Sequence, residues 1–253
     1  PNNFEVLFMQ GGARGQNAII PMNLLHDNKK CDYVVTGFWS KMSASEAEKF
    51  GDVWIVNRAS NVGLQSIQSL SEWNVRADSA YIHLCTNETV DGVEFREIPN
   101  LNLIGRGNVP LIVDASSNLF TRKLSLDNVG LIYAGAQKNI GIAGLTLIIL
   151  NKKIFDVESR QCSKICPSVF SYRNVLLSNS CYNTPPTLAI LTTKLMLEWI
   201  KDKGGIDTIG KENEEKAKAM YDFIDESKIF SNDVQDTCRS LVNIKFFITW
   251  IQV

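Results

Sequence analysis

The strongest constraint in this chain is an alternation. Short apolar runs rich in β-branched residues are separated by stretches with helical spacing. "FEVLFMQ", "CDYVVTGFW", "VWIVN", "SAYIHLCTNET", "VPLIVDASSN", "VGLIYAGAQKN" and "GLTLIIL" read as strands. Between them, "GQNAIIPMNLL" suits a short helix despite Pro21, and "SASEAEKFG" a helix with a serine cap and a glycine stop. "PPTLAILTTKLMLEWIKDKGG" reads as a long helix with prolines in its first turn and glycines after its last. "KENEEKAKAMYDFIDES" reads as another, with a charged outer face. This order predicts an α/β fold: a mostly parallel central sheet flanked by crossover helices in an α-β-α arrangement.

A parallel sheet brings the carboxyl ends of its strands to one edge, where ligands bind. In this sequence those ends carry residues of chemical use: the "GGARG" loop with Ala13 and Arg14, Trp39, Thr89, Asp114 and Lys138. Each has a bland reading. The glycine loop can be a tight turn or an anion cradle at a helix start. Trp39 taken alone is core before it is a cofactor platform, and Thr89 alone says little. Asp114, directly after a buried strand, needs a partner, or it caps the next turn through "ASSN".

Lys138 discriminates between these readings. A lysine in a water-poor site loses basicity, and the neutral amine can form a Schiff base with an aldehyde. An aldehyde cofactor with a phosphate and a pyridine ring would use all five features together. The loop would take the phosphate, Trp39 the ring face, Thr89 the phenolic oxygen and Asp114 the ring nitrogen. Pyridoxal 5'-phosphate is that cofactor.

Composition removes other classes. The chain has 253 residues, 45% hydrophobic and 21% charged, which suits a soluble globular protein with a real core. Its formal net charge is −1 and no basic run appears, so no nucleic-acid partner is expected. The longest apolar stretch, "IAGLTLIIL", is too short to span a bilayer, so no membrane partner is expected either. The start, "PNNFEVLFMQ", lacks both a methionine and the order of a signal peptide, and reads as a cut end. Six scattered cysteines suit free thiols in a reducing, cytoplasmic compartment. Cys162 and Cys166 have no second pair and no nearby histidine, so no metal site is expected.

"QGGARGQ", "DYVVTGFWS", "NETVDGVEF", "DASSN", "YAGAQKNIGIAGLT", "CPSVFSY", "YNTPPT" and "EWIKDKGG" together resemble phosphoserine aminotransferases, which are fold-type I pyridoxal phosphate enzymes. The resemblance runs in order from Phe4 to Phe247. It implies a cofactor-binding large domain over 1–200, and a connecting helix with the start of a small domain over 201–253. It implies that Lys138 carries the cofactor and shuttles the proton, Asp114 holds the pyridine nitrogen, Trp39 stacks on the ring and Thr89 meets the phenolic oxygen. The amides of Ala13 and Arg14, with the Gln137 side chain, would bind the phosphate. Asn183 and Thr184 would reach the phosphate in the other subunit, making a homodimer with shared active sites. The implied reaction exchanges an amino group between glutamate and 3-phosphohydroxypyruvate, giving 3-phosphoserine and 2-oxoglutarate.

Some positions depart from the family. Ala13 replaces a usual glycine, which would strain a loop of positive φ. Ile142 stands where a small residue or proline is usual. "RSLVNIKFF" carries Val242 and Lys245 in place of methionine and proline. Flanking segments that carry the family's substrate-binding arginines are not found, so the chain is expected to be truncated at both ends and impaired in turnover. The rival readings are another fold-type I aminotransferase and a truncated or degenerate copy that binds cofactor or pairs with full-length subunits.

Overall fold

The computed structural model describes residues 3–25, 29–57, 65–155 and 162–248. In chain order the elements are β1 (Phe4–Gln10), α1 (Ala13–Leu24), β2 (Lys30–Tyr33), α2 (Phe38–Ala47), β3 (Asp52–Ile55), β4 (Ile82–Cys85), β5 (Asn87–Glu88) and β6 (Val93–Glu94). They continue with β7 (Leu111–Asp114), β8 (Val129–Gly135), β9 (Leu145–Asn151), α3 (Tyr172–Leu177), α4 (Thr187–Asp202), α5 (Ile206–Glu226), β10 (Phe230–Ser231) and β11 (Phe247–Ile248).

A seven-stranded sheet has the order β1-β9-β8-β7-β4-β2-β3. The pairs β2–β3, β2–β4, β4–β7 and β7–β8 are parallel, while β9 runs antiparallel to both β8 and β1. The predicted architecture therefore holds, with β9 as the one reversed strand. Strands β4, β7 and β8 are buried at every position, which is why they read as unbroken apolar runs rather than alternating ones. One face, bearing Tyr33, Ile112, Leu131 and Tyr133, packs under α1, α2 and α3. The other, bearing Val34, Leu84, Val113 and Ile132, is covered by turns around Leu70 and Leu101 and by the start of α4 at Ala189.

Two boundaries differ from the sequence reading. The strand of "CDYVVTGFW" ends at Tyr33, and Phe38 and Trp39 open helix α2, so Ser43 is a buried interior residue and not a cap. The cause is a cap supplied from far along the chain. Glu88 Oε2 and Oε1 accept the amides of Trp39 (2.8 Å) and Ser40 (2.9 Å), and Asp91 Oδ2 accepts that of Phe38 (2.7 Å). Carboxylates at a helix start also complement its dipole. Helix α5 begins at Ile206, ahead of the charged run, because Gly205 at φ 87° breaks the chain after α4.

Beyond α5 lies a small cluster of Ala217, Tyr221 and Ile224 packed with Phe230, Leu241 and Ile244. It is tied to the sheet region by Glu94, fully buried, whose carboxylate accepts from Arg122 Nε (3.1 Å), Asn118 Nδ2 (3.0 Å) and the Leu241 amide (2.8 Å). The end of the expected small domain, residues 249–253, lies outside the described residues. Among the described residues no helix is long and apolar enough to cross a membrane, and no group of three or more His, Cys, Asp or Glu could hold a metal ion.

Candidate active site

The carboxyl ends of β1, β2, β4, β7 and β8 meet, as their common direction requires, at a cavity of about 190 Å³. Its walls include Ala13 and Arg14 after β1, Trp39 after β2, Asn87 after β4, Asp114 at the end of β7, and Gln137 and Lys138 after β8. Of these seven wall residues, all but Asn87 were expected from the sequence, and Thr89 joins them through Lys138.

The β1 loop delivers a helix start. Gly11 takes φ 104°, donating its amide to the Gly144 carbonyl at 3.1 Å, and α1 begins at Ala13. No side chain caps this end and its first turn holds no acidic residue, so the first amides of α1 are left for an anion. Ala13 is absent from the residues of positive φ, so the strain expected from replacing glycine there does not arise. Gly135 is needed for a different reason. A Cβ there would stand 2.6 Å from Gln137 Oε1 and 3.1 Å from the Ala13 nitrogen, so the glycine lets β8 bring the Gln137 amide against the start of α1.

Lys138 Nζ lies 2.9 Å from Thr89 Oγ1 and 5.3 Å from the centroid of the Trp39 ring, over which Arg14 Cζ also stands at 5.6 Å. The lysine is exposed, which corrects the expectation of a water-poor setting. The chain's own walls leave the mouth above the end of β8 open. Among the described residues Trp39 Nε1 and Asn87 Oδ1 are buried without a hydrogen-bond partner, two polar atoms at the cavity that a bound molecule would satisfy.

Asp114 caps the turn that follows it and also lines the cavity. Its Oδ1 accepts the Ser116 amide at 2.9 Å, the expected turn cap. Burial raises its carboxyl above the usual range, against the pull of Ser116, Lys138 and Tyr133. A cation in the cavity would favour the charged form.

Asn183 and Thr184 are not brought to this cavity. Both are exposed beside the end of β1, where Asn183 Nδ2 donates to Gln10 Oε1 at 3.0 Å and Gln10 Nε2 donates to the Thr184 carbonyl. Asn87, Ser116 and Ser117 were missed by the sequence reading. Their signal was present, since they flank Thr89 and Asp114, but polar residues after strands are too common to single out. A larger open groove of about 1010 Å³ lies between Arg122 and Lys211, lined by charges of both signs and away from these strand ends.

A sheet edge that presents a lysine, a buried aspartate, an aromatic ring and an uncapped helix start is the arrangement of the pyridoxal phosphate transferases, and residues 1–249 match the class-V aminotransferase family, to which this chain belongs. Within that family its relatives are phosphoserine aminotransferases. That of Paraburkholderia phymatum is 44% identical over 98% of this chain and 67% of its own length. Among solved structures, the pyridoxal-phosphate-bound phosphoserine aminotransferase of Trichomonas vaginalis superposes with a TM-score of 0.90 at 36% identity, covering 98% of this chain and 67% of the other. The enzyme of Bacillus circulans subsp. alkalophilus gives 0.90 and 36%, covering 99% and 67%. The chain thus spans about two thirds of the length of these relatives.

Proposed function

We propose that this chain carries the cofactor site of a phosphoserine aminotransferase, transferring an amino group between glutamate and 3-phosphohydroxypyruvate with pyridoxal 5'-phosphate. The observation that carries this is the convergence of Lys138, Asp114 and Trp39 on one cavity beside the uncapped start of α1. The donor set fits the cofactor group by group: free amides and Gln137 for a phosphate, an aromatic face for a ring, a buried carboxyl for a ring nitrogen and a lysine amine for an aldehyde. When bound, pyridoxal phosphate supplies an electron sink that stabilises negative charge on the substrate's α-carbon.

The residues of this chain do the rest. The amides of Ala13 and Arg14, with the Gln137 side chain, would hold the phosphate, and the Arg14 guanidinium would add positive charge at the rim. Trp39 fixes the plane of the ring, and its own place is fixed by Glu88. Asp114 would hold the ring nitrogen and favour its protonated form. Lys138 Nζ would hold the cofactor at rest and, once released, would serve as the base that takes the substrate's α-proton and the acid that gives it back. Thr89 holds Nζ on that side of the ring.

The proposed assembly is a homodimer, with Asn183 and Thr184 serving the partner's site. Their exposure outside their own cavity supports it, as does the exposed row of Leu188, Leu191 and Leu195 on α4, a few residues further on. A partner seated over the open mouth would also supply the water exclusion that Lys138 lacks here. The division near residue 200 is proposed on the separate apolar cluster beyond α5, and a cytoplasmic location on six free thiols. Reduction by borohydride in the presence of pyridoxal phosphate should leave a pyridoxyl group on the Lys138 peptide, read by mass spectrometry, and none in Lys138→Ala. A folded chain with no such adduct would sink the proposal.

A further inference from the structure

Beneath the cavity, on the sheet face covered by α1, α2 and α3, runs a row of buried polar side chains to which the site described above gives no role. The register places Tyr33 of β2 beside His83 of β4, and Asp114 of β7 beside Tyr133 of β8. His83 Nε2 and Tyr133 Oη are 2.9 Å apart, and Tyr133 stands beside Asp114 on the adjacent strand, where it favours the charged form of that carboxyl. The Tyr33 ring stacks on the imidazole at 4.8 Å and sends its own hydroxyl to Tyr81 at 3.0 Å, away from the imidazole. His83 is 1% exposed, and among the described residues its Nδ1 has no partner.

This geometry leaves two proton arrangements. Burial holds the imidazole neutral, pushing its pKa down to about 3, so one ring nitrogen carries hydrogen and the other does not. With hydrogen on Nδ1, a buried N–H would be orphaned, which proteins rarely tolerate. With hydrogen on Nε2, the orphan is only a lone pair, and Nε2–H donates to Tyr133 Oη. The tyrosine proton is then free to be donated onward. Two acceptors compete for it, the Asp114 carboxylate and the Ser43 hydroxyl, which also contacts Tyr133 and donates its own proton to Asn17 Oδ1 at 3.0 Å. The charged oxygen is the stronger acceptor.

We infer that His83 and Tyr133 are positioning residues for the cofactor site, forming a directed relay from His83 Nε2–H to the Tyr133 hydroxyl and from that hydroxyl to the Asp114 carboxylate. The inference rests on the proposed function only for what Asp114 then holds. Asp114 is bound at one oxygen by the Ser116 amide and flanked by Tyr133 from the β8 side, so it is held from two directions, and both neighbours favour its charged form against the burial that raises its pKa. A cationic ring nitrogen entering the cavity would meet a carboxylate already in position.

The experiment is nitrogen-15 NMR of the full chain labelled at histidine. The chain has two histidines, and His26→Gln assigns the pair. The relay requires His83 to be the neutral Nε2–H form at pH 7. An Nδ1–H form or an imidazolium would overturn it, whatever the protein's cofactor. Equilibrium dialysis of pyridoxal phosphate then tests the link to the site. Tyr133→Phe should weaken binding about tenfold, the scale of one hydrogen bond to a charged group, and should raise the pH below which binding is lost. Unchanged affinity and pH profile in a folded Tyr133→Phe would overturn the positioning role. Should Tyr133→Phe fail to fold, the tautomer measured in the unsubstituted chain still decides. If the unsubstituted chain binds no pyridoxal phosphate while His83 is Nε2–H, the functional reading falls and the relay stands.

Discussion

At the scale of the residue, His83 makes acid stability measurable. Its folded-state pKa near 3 lies below the ordinary 6.5, so between those values the unfolded chain binds a proton that the native chain does not. Stability should therefore fall as pH drops from 6.5 toward 3, by as much as ~1.4 kcal/mol per pH unit from this group. Urea titrations of His83→Gln should show a shallower acid slope than the unsubstituted chain. An identical slope would mean that His83 is protonated in the fold. Lys138 and Asp114 were legible in the sequence because each is a charged residue at the end of an apolar run, where burial makes charge conspicuous. The exposure of Lys138 was not legible, because it depends on what stands above the strand end, which the run of residues does not encode.

At the scale of the element, the start of α2 shows where sequence reading stops. "VVTGFW" favours an extended strand locally, and the helix begins there because Glu88 and Asp91 arrive some fifty residues later to receive its amides. Gly37 makes room for them. A Cβ at that position would stand 2.5 Å from Asp91 Oδ2 and 2.5 Å from Glu88 Cγ. Burial raises the Glu88 pKa, yet its two accepted amides hold it in place, so it cannot swing aside cheaply. Gly37→Ala should cost about 1–3 kcal/mol by overpacking and move Trp39, lowering the melting temperature. Calorimetry showing an unchanged transition would refute that account. Strand β9 was equally hidden: "GLTLIIL" announces a buried strand but not its direction, which is set by its partners β8 and β1.

At the scale of the whole molecule, one wall of the site is a contact between distant parts. Asn87, at the cavity, donates at 2.7 Å to Ser117 Oγ and at 2.7 Å to Asn243 Oδ1, so the segment beyond α5 reaches the cofactor pocket. The proposed pairing of copies is tested by sedimentation. The unsubstituted chain should run as two copies, and Leu191→Glu with Leu195→Glu on the exposed row of α4 should run as one. Both running alike would place the interface elsewhere.

The pairing of β1 with β9 also sets a timetable. Strand β1 is made about 140 residues ahead of its partner. At about 5–20 residues per second, ribosomes leave β1 without a neighbour for roughly 7–28 s. Through that interval Leu7 and Met9, buried in the finished fold, lack Ile148 and Leu150 of the cluster they complete. The loop that starts α1 hangs from this strand, so the anion cradle is encoded early and assembled late. Nascent chains stalled before Leu145 should accordingly hold chaperones and bind no cofactor, which makes this edge of the sheet a point where the cell's folding machinery, rather than the substrate, first meets the enzyme.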